Sequence, residues 1–171
     1  MKYDFGEWSV KNVKTFHGHD GNGYEASLYQ GKRRVALVVE DGWGGGLQFH
    51  WLVGENVEGS SSSALEAHCG TLPQIPYQSI IVEGGPTSFA VDGAILVDEM
   101  VALYQYRRDM RKSMKNHVLW MEGDKLQEGN RVGVVNASVI GLYRDAFKFD
   151  KSLNEMPEDD ALALYAAVGD A

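Results

Sequence analysis

The stretch WSVKNVKTFHGHDGNGYEASLYQGKRRVALVVEDGWGGGLQFHWL, residues 8–52, decides the fold of this chain. It contains four short segments separated by three turns that carry glycine. Apolar and polar positions alternate with a period of two in the second and third segments, which is typical of strands with one buried face. The turns supply the positive-φ residues that hairpins need. We therefore predict an antiparallel meander with strands at residues 8–16, 24–29, 34–40 and 47–52.

The longest helical pattern follows at residues 91–113 and is expected to cover this sheet. Asp92 can cap its start, and basic side chains crowd its end, as the helix dipole favours. An apolar stripe runs along one face and comprises Leu96, Met100, Leu103, Met110 and Met114. Because a sheet with one apolar face needs a partner layer, we expect this stripe to pack on the meander.

The remaining segments predict smaller elements. Ser63 can cap a short helix over residues 64–69, and SIIVEGG at residues 79–85 predicts a short buried strand or an apolar plug. VLWM and RVGVV, residues 118–121 and 131–135, predict a hairpin with a long connection. Two helices are expected to follow it, one from Ser138 to Phe149 with Val139, Leu142, Tyr143 and Phe147 on one side, and one that opens at Pro157.

Together these elements predict an α+β fold. An N-terminal antiparallel β-meander of about four strands packs on a long amphipathic helix, and a small β-hairpin and two further helices complete it. The 171 residues are expected to form a single domain. Its parts are the β-meander at 1–53, an irregular connector at 54–90, and the helix, hairpin and helices at 91–171.

Composition excludes several classes of protein. The net charge of −8 and the pI near 5.0 argue against wholesale binding to nucleic acid or to acidic membranes. No apolar run approaches the roughly 20 residues of a membrane span, and the N-terminus lacks the pattern of a secretory signal. A lone cysteine, Cys69, excludes an internal disulfide. We therefore expect a cytoplasmic protein with no membrane partner.

Trp43 is the main candidate for a binding residue. It stands among glycines in DGWGGG, and an aromatic side chain on a flexible loop is a typical binding anchor. The alternative is that it folds back on the sheet. Tyr24 and Tyr29 of the second strand complete the predicted partner-binding set.

The basic end of the long helix supports an alternative, a nucleic-acid or nucleotide-binding module. Its cationic side chains are Arg107, Arg108, Arg111, Lys112 and Lys115, and the neighbouring tyrosines could stack on bases. The simpler interpretation is a helix terminus with favourable charges. The acidic C-terminal segment could neutralise this patch, so nucleic acid is possible but not favoured as a partner.

A second alternative is a metal-dependent hydrolase. Its ligands would be His17, His19, Asp20 and His50, which could hold zinc or iron with an open position for water. No recognised metallohydrolase spacing is present, and neither glycine-rich loop has the mechanics of a nucleotide-binding motif. We predict no cofactor and no catalytic residue, and the residues favour binding over catalysis.

Two stretches resemble small uncharacterised proteins of phages and prophages. Residues 8–46 share a K-N-V-K-x-F strand, a G-x-x-G-x-G-[FY] turn, a hairpin with L-Y and G-K, and a D-x-x-G-G loop; NHVLWMEGD and RVGVVNA resemble the second half. The resemblance carries no established activity and implies a viral accessory protein in the host cytoplasm. The resulting hypothesis is a non-enzymatic protein that binds a host protein, such as an inhibitor of an antiviral defence component. The sequence leaves its oligomeric state open.

Overall fold

The structure is a computed structural model that describes residues 3–19, 21–52, 59–76 and 88–169. It has the predicted α+β architecture, with a four-stranded antiparallel sheet near the N-terminus, two small hairpins and four α-helices among these residues. The chain divides into two compact units, Met1–Tyr104 (unit 1) and Gln105–Ala171 (unit 2). No helix in the described ranges combines the length and apolar character needed to cross a bilayer.

The sheet of unit 1 confirms the predicted meander. Its strands are β1 (Trp8–His17), β2 (Asn22–Gln30), β3 (Arg33–Glu40) and β4 (Gln48–Trp51), paired in the order β1-β2-β3-β4. All three pairings are antiparallel. Sequential hairpins place β1 and β4 at opposite edges of the sheet.

A β-bulge adjusts β1 to the core. The register with β2 shifts between Lys11 and Lys14, where Asn12 adopts a φ of 56°. The extra residue lets Val10 and Val13, which are three positions apart, both lie buried in the core. The two lysines stay exposed on this edge strand, where charge discourages pairing with another chain.

Two helices cover the apolar face of the sheet. They are α1 (Ser61–Cys69) and the first half of α2 (Gly93–Met114). One core cluster joins side chains of all these elements, including Val10, Ala26, Leu28, Val38, Leu65, Leu96, Val97 and Met100. The prediction that the long helix packs on the meander is therefore confirmed. Of its predicted stripe, Leu96, Met100 and Met110 are buried, whereas Leu103 and Met114 are half-buried.

The helix starts partly match the predictions. The Asp92 carboxylate accepts a hydrogen bond from the Ile95 amide at 2.8 Å and caps α2 as expected. The predicted cap of α1 was wrong, because Ser60 and not Ser63 is the N-cap residue. Ser60 has an extended backbone, and its hydroxyl accepts from the Ser63 amide, so the helix begins earlier than predicted.

A two-stranded hairpin, β5 (Ile75–Pro76) with β6 (Ser88–Phe89), also belongs to unit 1. The predicted strand or plug at residues 79–85 lies outside the described residues.

Unit 2 corrects the predicted second hairpin. β7 (Leu119–Glu122) pairs with β8 (Lys125–Glu128), not with residues 131–135. Gly123 has a φ of +60°, which permits a tight two-residue turn directly after β7. The early turn leaves the RVGVV segment outside the sheet.

Three helical segments complete unit 2: α3 (Ala137–Phe147), a 3₁₀ turn (Leu153–Glu155) and α4 (Glu158–Gly169). Asn136, and not Ser138, caps α3 through its side-chain oxygen. The helix ends before Phe149, because Lys148 takes the left-handed conformation at φ 58°. α4 begins directly after Pro157, as predicted, and its first turn is acidic.

The core of α3 differs from its predicted apolar side. A cluster of Val118, Trp120, Ile140 and Phe149 is buried, with Val139 and Tyr143 packed against it. Leu142 points to solvent and is 70% exposed. The aromatic ring of Trp120 stacks with Phe147 and Phe149, each at a centroid distance of 5.1 Å.

Candidate functional site

Two loops at one end of the unit 1 sheet pack backbone against backbone. The first joins β1 to β2 and the second joins β3 to β4, so the meander places both at the same end. A Cβ atom on Gly18 would lie 2.5 Å from the carbonyl oxygen of Gly42, and one on Gly42 would lie 3.0 Å from the Cα of Gly18. Gly42 also has a φ of +68°. Only glycine fits both positions, which fixes the two loops relative to each other.

Two carboxylates hold the second loop in shape. Glu40 accepts a hydrogen bond from the Gly42 amide, and Asp41 accepts one from the Trp43 amide, both at 2.9 Å. Such local side-chain bonds to the backbone are typical of ordered turns. The backbone that carries Trp43 is therefore held by its own neighbours.

The indole of Trp43 stacks on the imidazole of His19. The ring centroids are 5.2 Å apart and the planes differ by 15°. The stack bridges the two loops, and Trp43 remains 64% exposed. The Trp43 ring is thus exposed to solvent on its loop, as predicted. Its role in binding stays a prediction.

Phe16 adds a second exposed aromatic ring at this end of the sheet and was missed in the sequence. It lies near the end of β1, is 42% exposed and pairs with Gly23 on β2. A Cβ on Gly23 would lie 2.5 Å from the Phe16 ring, so the ring lies directly over the glycine. An aromatic residue opposite a glycine was the available signal. We call Phe16, His19, Glu40, Asp41 and Trp43 the loop surface.

Tyr24 and Tyr29 do not belong to the loop surface. Tyr24 is only 8% exposed, and its hydroxyl donates to Asp98 at 2.5 Å, so its assignment to a partner surface was wrong. Tyr29 is half-buried near the opposite end of β2, with the Lys11 ammonium 4.5 Å from its ring centroid. Any role of Tyr29 in binding would be separate from that of Trp43.

The Tyr24 contact perturbs two titrations inside unit 1. Burial raises the pKa of Asp98, and nearby carboxylates including Glu40 raise it further, which outweighs the opposing effect of the tyrosine hydrogen bond. Burial, followed by the bond to Asp98, raises the pKa of Tyr24. The pair connects β2 to α2 next to the strand end that carries Glu40.

Charge in unit 1 is strongly one-sided. Residues 1–104 contain 13 acidic and six basic side chains. No lysine or arginine occurs between Arg34 and Arg107. The loop that carries Trp43 therefore has carboxylates nearby in the sequence and no cationic side chain of its own.

The basic cluster predicted for nucleic acid is largely paired within unit 2. Arg107 lies 2.9 Å from Asp159 and 3.3 Å from Glu158. Arg111 forms a two-pronged contact with Glu158 at 2.7 and 2.9 Å. Arg108 pairs with its neighbour Asp109 at 3.0 Å. Within the described part of the chain, Lys112 and Lys115 have no ion-pair partner, so the arginines are neutralised and only these lysines remain unpaired.

The predicted metal ligands do not all come together. His17 ends β1 at one sheet edge and His50 lies on β4 at the other, three strand spacings or roughly 14 Å away. The four-ligand site was therefore wrong for His50. His19 stacks on Trp43, and Asp20 lies outside the described residues. Across residues 3–19, 21–52, 59–76 and 88–169, no three His, Cys, Asp or Glu side chains form a group that could hold a metal ion.

Comparison with known proteins adds no relative. No family model matches the sequence, and neither a curated protein nor a solved structure shows significant similarity to the chain.

Proposed function

We propose that this protein is a non-enzymatic binding protein whose loop surface places Trp43 in a pocket of a protein partner. The observation that supports this most is the exposed indole on a loop whose backbone is held by the Asp41 hydrogen bond and by the close contact of Gly42 with Gly18. The His19 stack covers part of the indole, yet Trp43 is still 64% exposed. Tryptophan is also enriched among the residues that contribute most to protein interfaces.

Because the loop is already ordered, burial of the Trp43 ring can contribute more to the free energy of binding. Binding costs free energy when loops and side chains must be ordered. The glycine contact, the two carboxylate bonds and the His19 stack already order this loop. Full burial of an exposed aromatic ring then contributes on the order of 2–4 kcal/mol at the usual value per unit of apolar area.

The charge of unit 1 indicates the chemistry of the partner. Acidic side chains outnumber basic ones by about two to one, and Glu40 and Asp41 flank the Trp43 loop. Complementary charge accelerates association and disfavours acidic partners. We therefore expect a basic protein surface around an aromatic-sized pocket.

The biological setting of this proposal depends on the sequence resemblance alone. That resemblance supports a phage or prophage accessory protein that acts in the host cytoplasm. The partner would then be a host protein, such as a component of antiviral defence. The paired arginines of unit 2 give the nucleic-acid alternative less support, and the separation of His17 from His50 does the same for the hydrolase.

The test compares three tagged proteins in bacterial host lysate: the wild type, Trp43→Ala and Leu142→Ala. Leu142 is an equally exposed apolar residue on α3 and serves as the matched control. We expect one partner recovered in stoichiometric amount by the wild type and the control, and lost with Trp43→Ala. The partner is then purified, and calorimetry should show at least about 30-fold weaker binding for Trp43→Ala.

Three results would overturn the proposal: recovery of no stoichiometric partner, equal affinity of Trp43→Ala and wild type, or a self-association of the pure protein that Trp43→Ala abolishes. Light scattering over a range of concentrations distinguishes the last case. It would assign the loop surface to a second copy of the chain.

A further inference from the structure

Unit 2 contains a cavity whose lining includes no residue of the loop surface and shares only Lys112 with the basic cluster predicted from the sequence. Its volume is about 490 Å³, within the range of small-molecule sites. The polar side chains that line it come from three segments: Lys112, Ser113, Asn116 and His117 at the end of α2, Arg131 after β8, and Tyr165 on α4. We propose that this cavity binds a small organic phosphate monoester.

The cations of the cavity are available to a ligand. Neither Lys112 nor Arg131 has an ion-pair partner among the residues that the structure describes. Asp109 on the wall is already paired with Arg108 at 3.0 Å, and the nearby Glu128 carboxylate lies 3.0 Å from the His117 Nδ1 atom. The C-terminal carbonyls of α2 repel an anion, but the partial negative charge at the end of a helix is only about half a unit. The two positive charges of Lys112 and Arg131 are larger than this.

His117 has a fixed orientation in the cavity wall. Its Nδ1 atom lies 2.8 Å from the Gly129 carbonyl oxygen and 3.0 Å from a Glu128 carboxylate oxygen. Both of these groups only accept hydrogen bonds, so Nδ1 carries the proton. Glu128 also accepts from the Ser113 hydroxyl at 3.4 Å. The imidazole is thereby held by two partners, and Nε2, the acceptor nitrogen of the neutral ring, is left for a hydroxyl group of the ligand.

The segment that carries Arg131 is fixed as well. The Val132 amide donates to the Asn116 carbonyl at 2.7 Å, and the Gly129 amide donates to the Val118 carbonyl at 2.9 Å. Between them, the Tyr143 hydroxyl donates to the Asn130 carbonyl at 3.0 Å. These bonds on either side of Arg131 tie its backbone to the end of α2, which carries Lys112. The backbones of both cations are thus held in place, and a lysine and an arginine that reach one cavity are the type of donors that phosphate binding uses.

The size and composition of the cavity favour an ester over free phosphate. Its volume exceeds what a single phosphate group fills, and the Tyr165 ring offers an apolar face for an organic group. Burial raises the pKa of the Tyr165 hydroxyl, with Asp109 and Glu128 adding to it, so the hydroxyl is a neutral donor at pH 7. A sugar or nucleoside phosphate matches these features in charge and size.

The experiment is calorimetry on the full chain at low ionic strength with inorganic phosphate, ribose 5-phosphate and AMP as ligands. We expect at least one ester to bind at least tenfold more tightly than phosphate. Arg131→Ala and Lys112→Ala should each weaken that binding at least tenfold, because each removes one of the two cations. Lys125→Ala removes an exposed charge from β8 outside the cavity and should change the affinity for the ester less than twofold.

Amide chemical shifts provide the second measurement, since ligand addition should perturb residues 112–117 and 129–132. The proposal is overturned if no ligand saturates below about 10 mM, a concentration at which binding is negligible. It is also overturned if phosphate binds as tightly as the esters, or if Lys125→Ala acts like Arg131→Ala. None of these outcomes bears on Trp43 and its protein partner.

Discussion

The Tyr24 hydroxyl donates a hydrogen bond to the Asp98 carboxylate and joins the second strand to the long helix across 74 positions of sequence. Tyr24 is buried, and Asp98 has other carboxylates nearby, including Glu40, Asp92 and Glu99. The bond satisfies a buried hydroxyl and places a carboxylate where its charged form is disfavoured. This combination makes the stability of unit 1 depend on pH.

Asp98→Asn should remove the free-energy cost of ionising this partly buried carboxyl group. The pKa of Asp98 is raised in the folded protein, so its contribution to stability is present at low pH and is lost as pH rises from the usual aspartate value through the folded pKa. The asparagine oxygen still accepts from Tyr24 but never ionises. We expect the difference in melting temperature, variant minus wild type, to become larger as the pH rises from 4 to 8. Glu66→Gln, an exposed charge removal on α1, should show no such trend, and a flat difference for Asp98→Asn would contradict the assignment.

Gly18→Ala should disturb the loop surface. The new methyl group would lie 2.5 Å from the Gly42 carbonyl oxygen, which is backbone and cannot rotate away. We expect a loss of about 1–3 kcal/mol in the free energy of unfolding and a weaker Trp43–His19 stack. Denaturant titration and near-ultraviolet circular dichroism measure the two effects. Gly46→Ala, where no atom lies within 4 Å of the added group, is the matched control and should be neutral.

Glu158→Gln should unmask the basic cluster. It removes the carboxylate that Arg107 and Arg111 share, while the free energy of unfolding changes by no more than about 1 kcal/mol because the pairs are exposed. We expect heparin and DNA affinity at low salt to increase several-fold. Asp124→Asn removes the same charge at the β7–β8 turn and should have a smaller effect. Equal affinities for both variants would show that Glu158 does not mask these arginines.

Cys69 should be unreactive in the folded protein. It is buried, and burial raises its pKa to about 11, so about one thiol in a thousand is ionised at pH 8. We expect slow reaction with a thiol reagent at pH 8 and rapid, stoichiometric reaction in guanidinium chloride. Rapid labelling of the native protein would mean that α1 opens readily from the core.

The meander was predictable because its signals are local. Alternation in β2 and β3 and glycine at each turn specify hairpins between neighbouring segments. The same alternation places Tyr24 on the face of Ala26 and Leu28, so its burial could have been predicted too. The order of the strands likewise separates His17 from His50.

The second hairpin was not predictable from strand propensity. RVGVV is richer in β-branched residues than KLQE, yet the turn after β7 begins at Gly123 and selects KLQE. Strand propensity depends strongly on context, and here the tight turn decides the register. The unit 2 cavity was even harder to predict from the sequence, since Lys112, Arg131 and Tyr165 lie on separate segments. No spacing rule connects them.

The absence of lysine and arginine from residue 35 to residue 106 has a practical consequence for anyone who maps the partner. Trypsin has no cleavage site within this span, and amine-directed cross-linkers have no side chain there to modify. A complex formed through the Trp43 loop would thus escape the usual cross-linking and peptide-mapping workflow. Mapping the partner through these residues requires carboxylate-directed cross-linkers and a protease that cuts at acidic or aromatic residues.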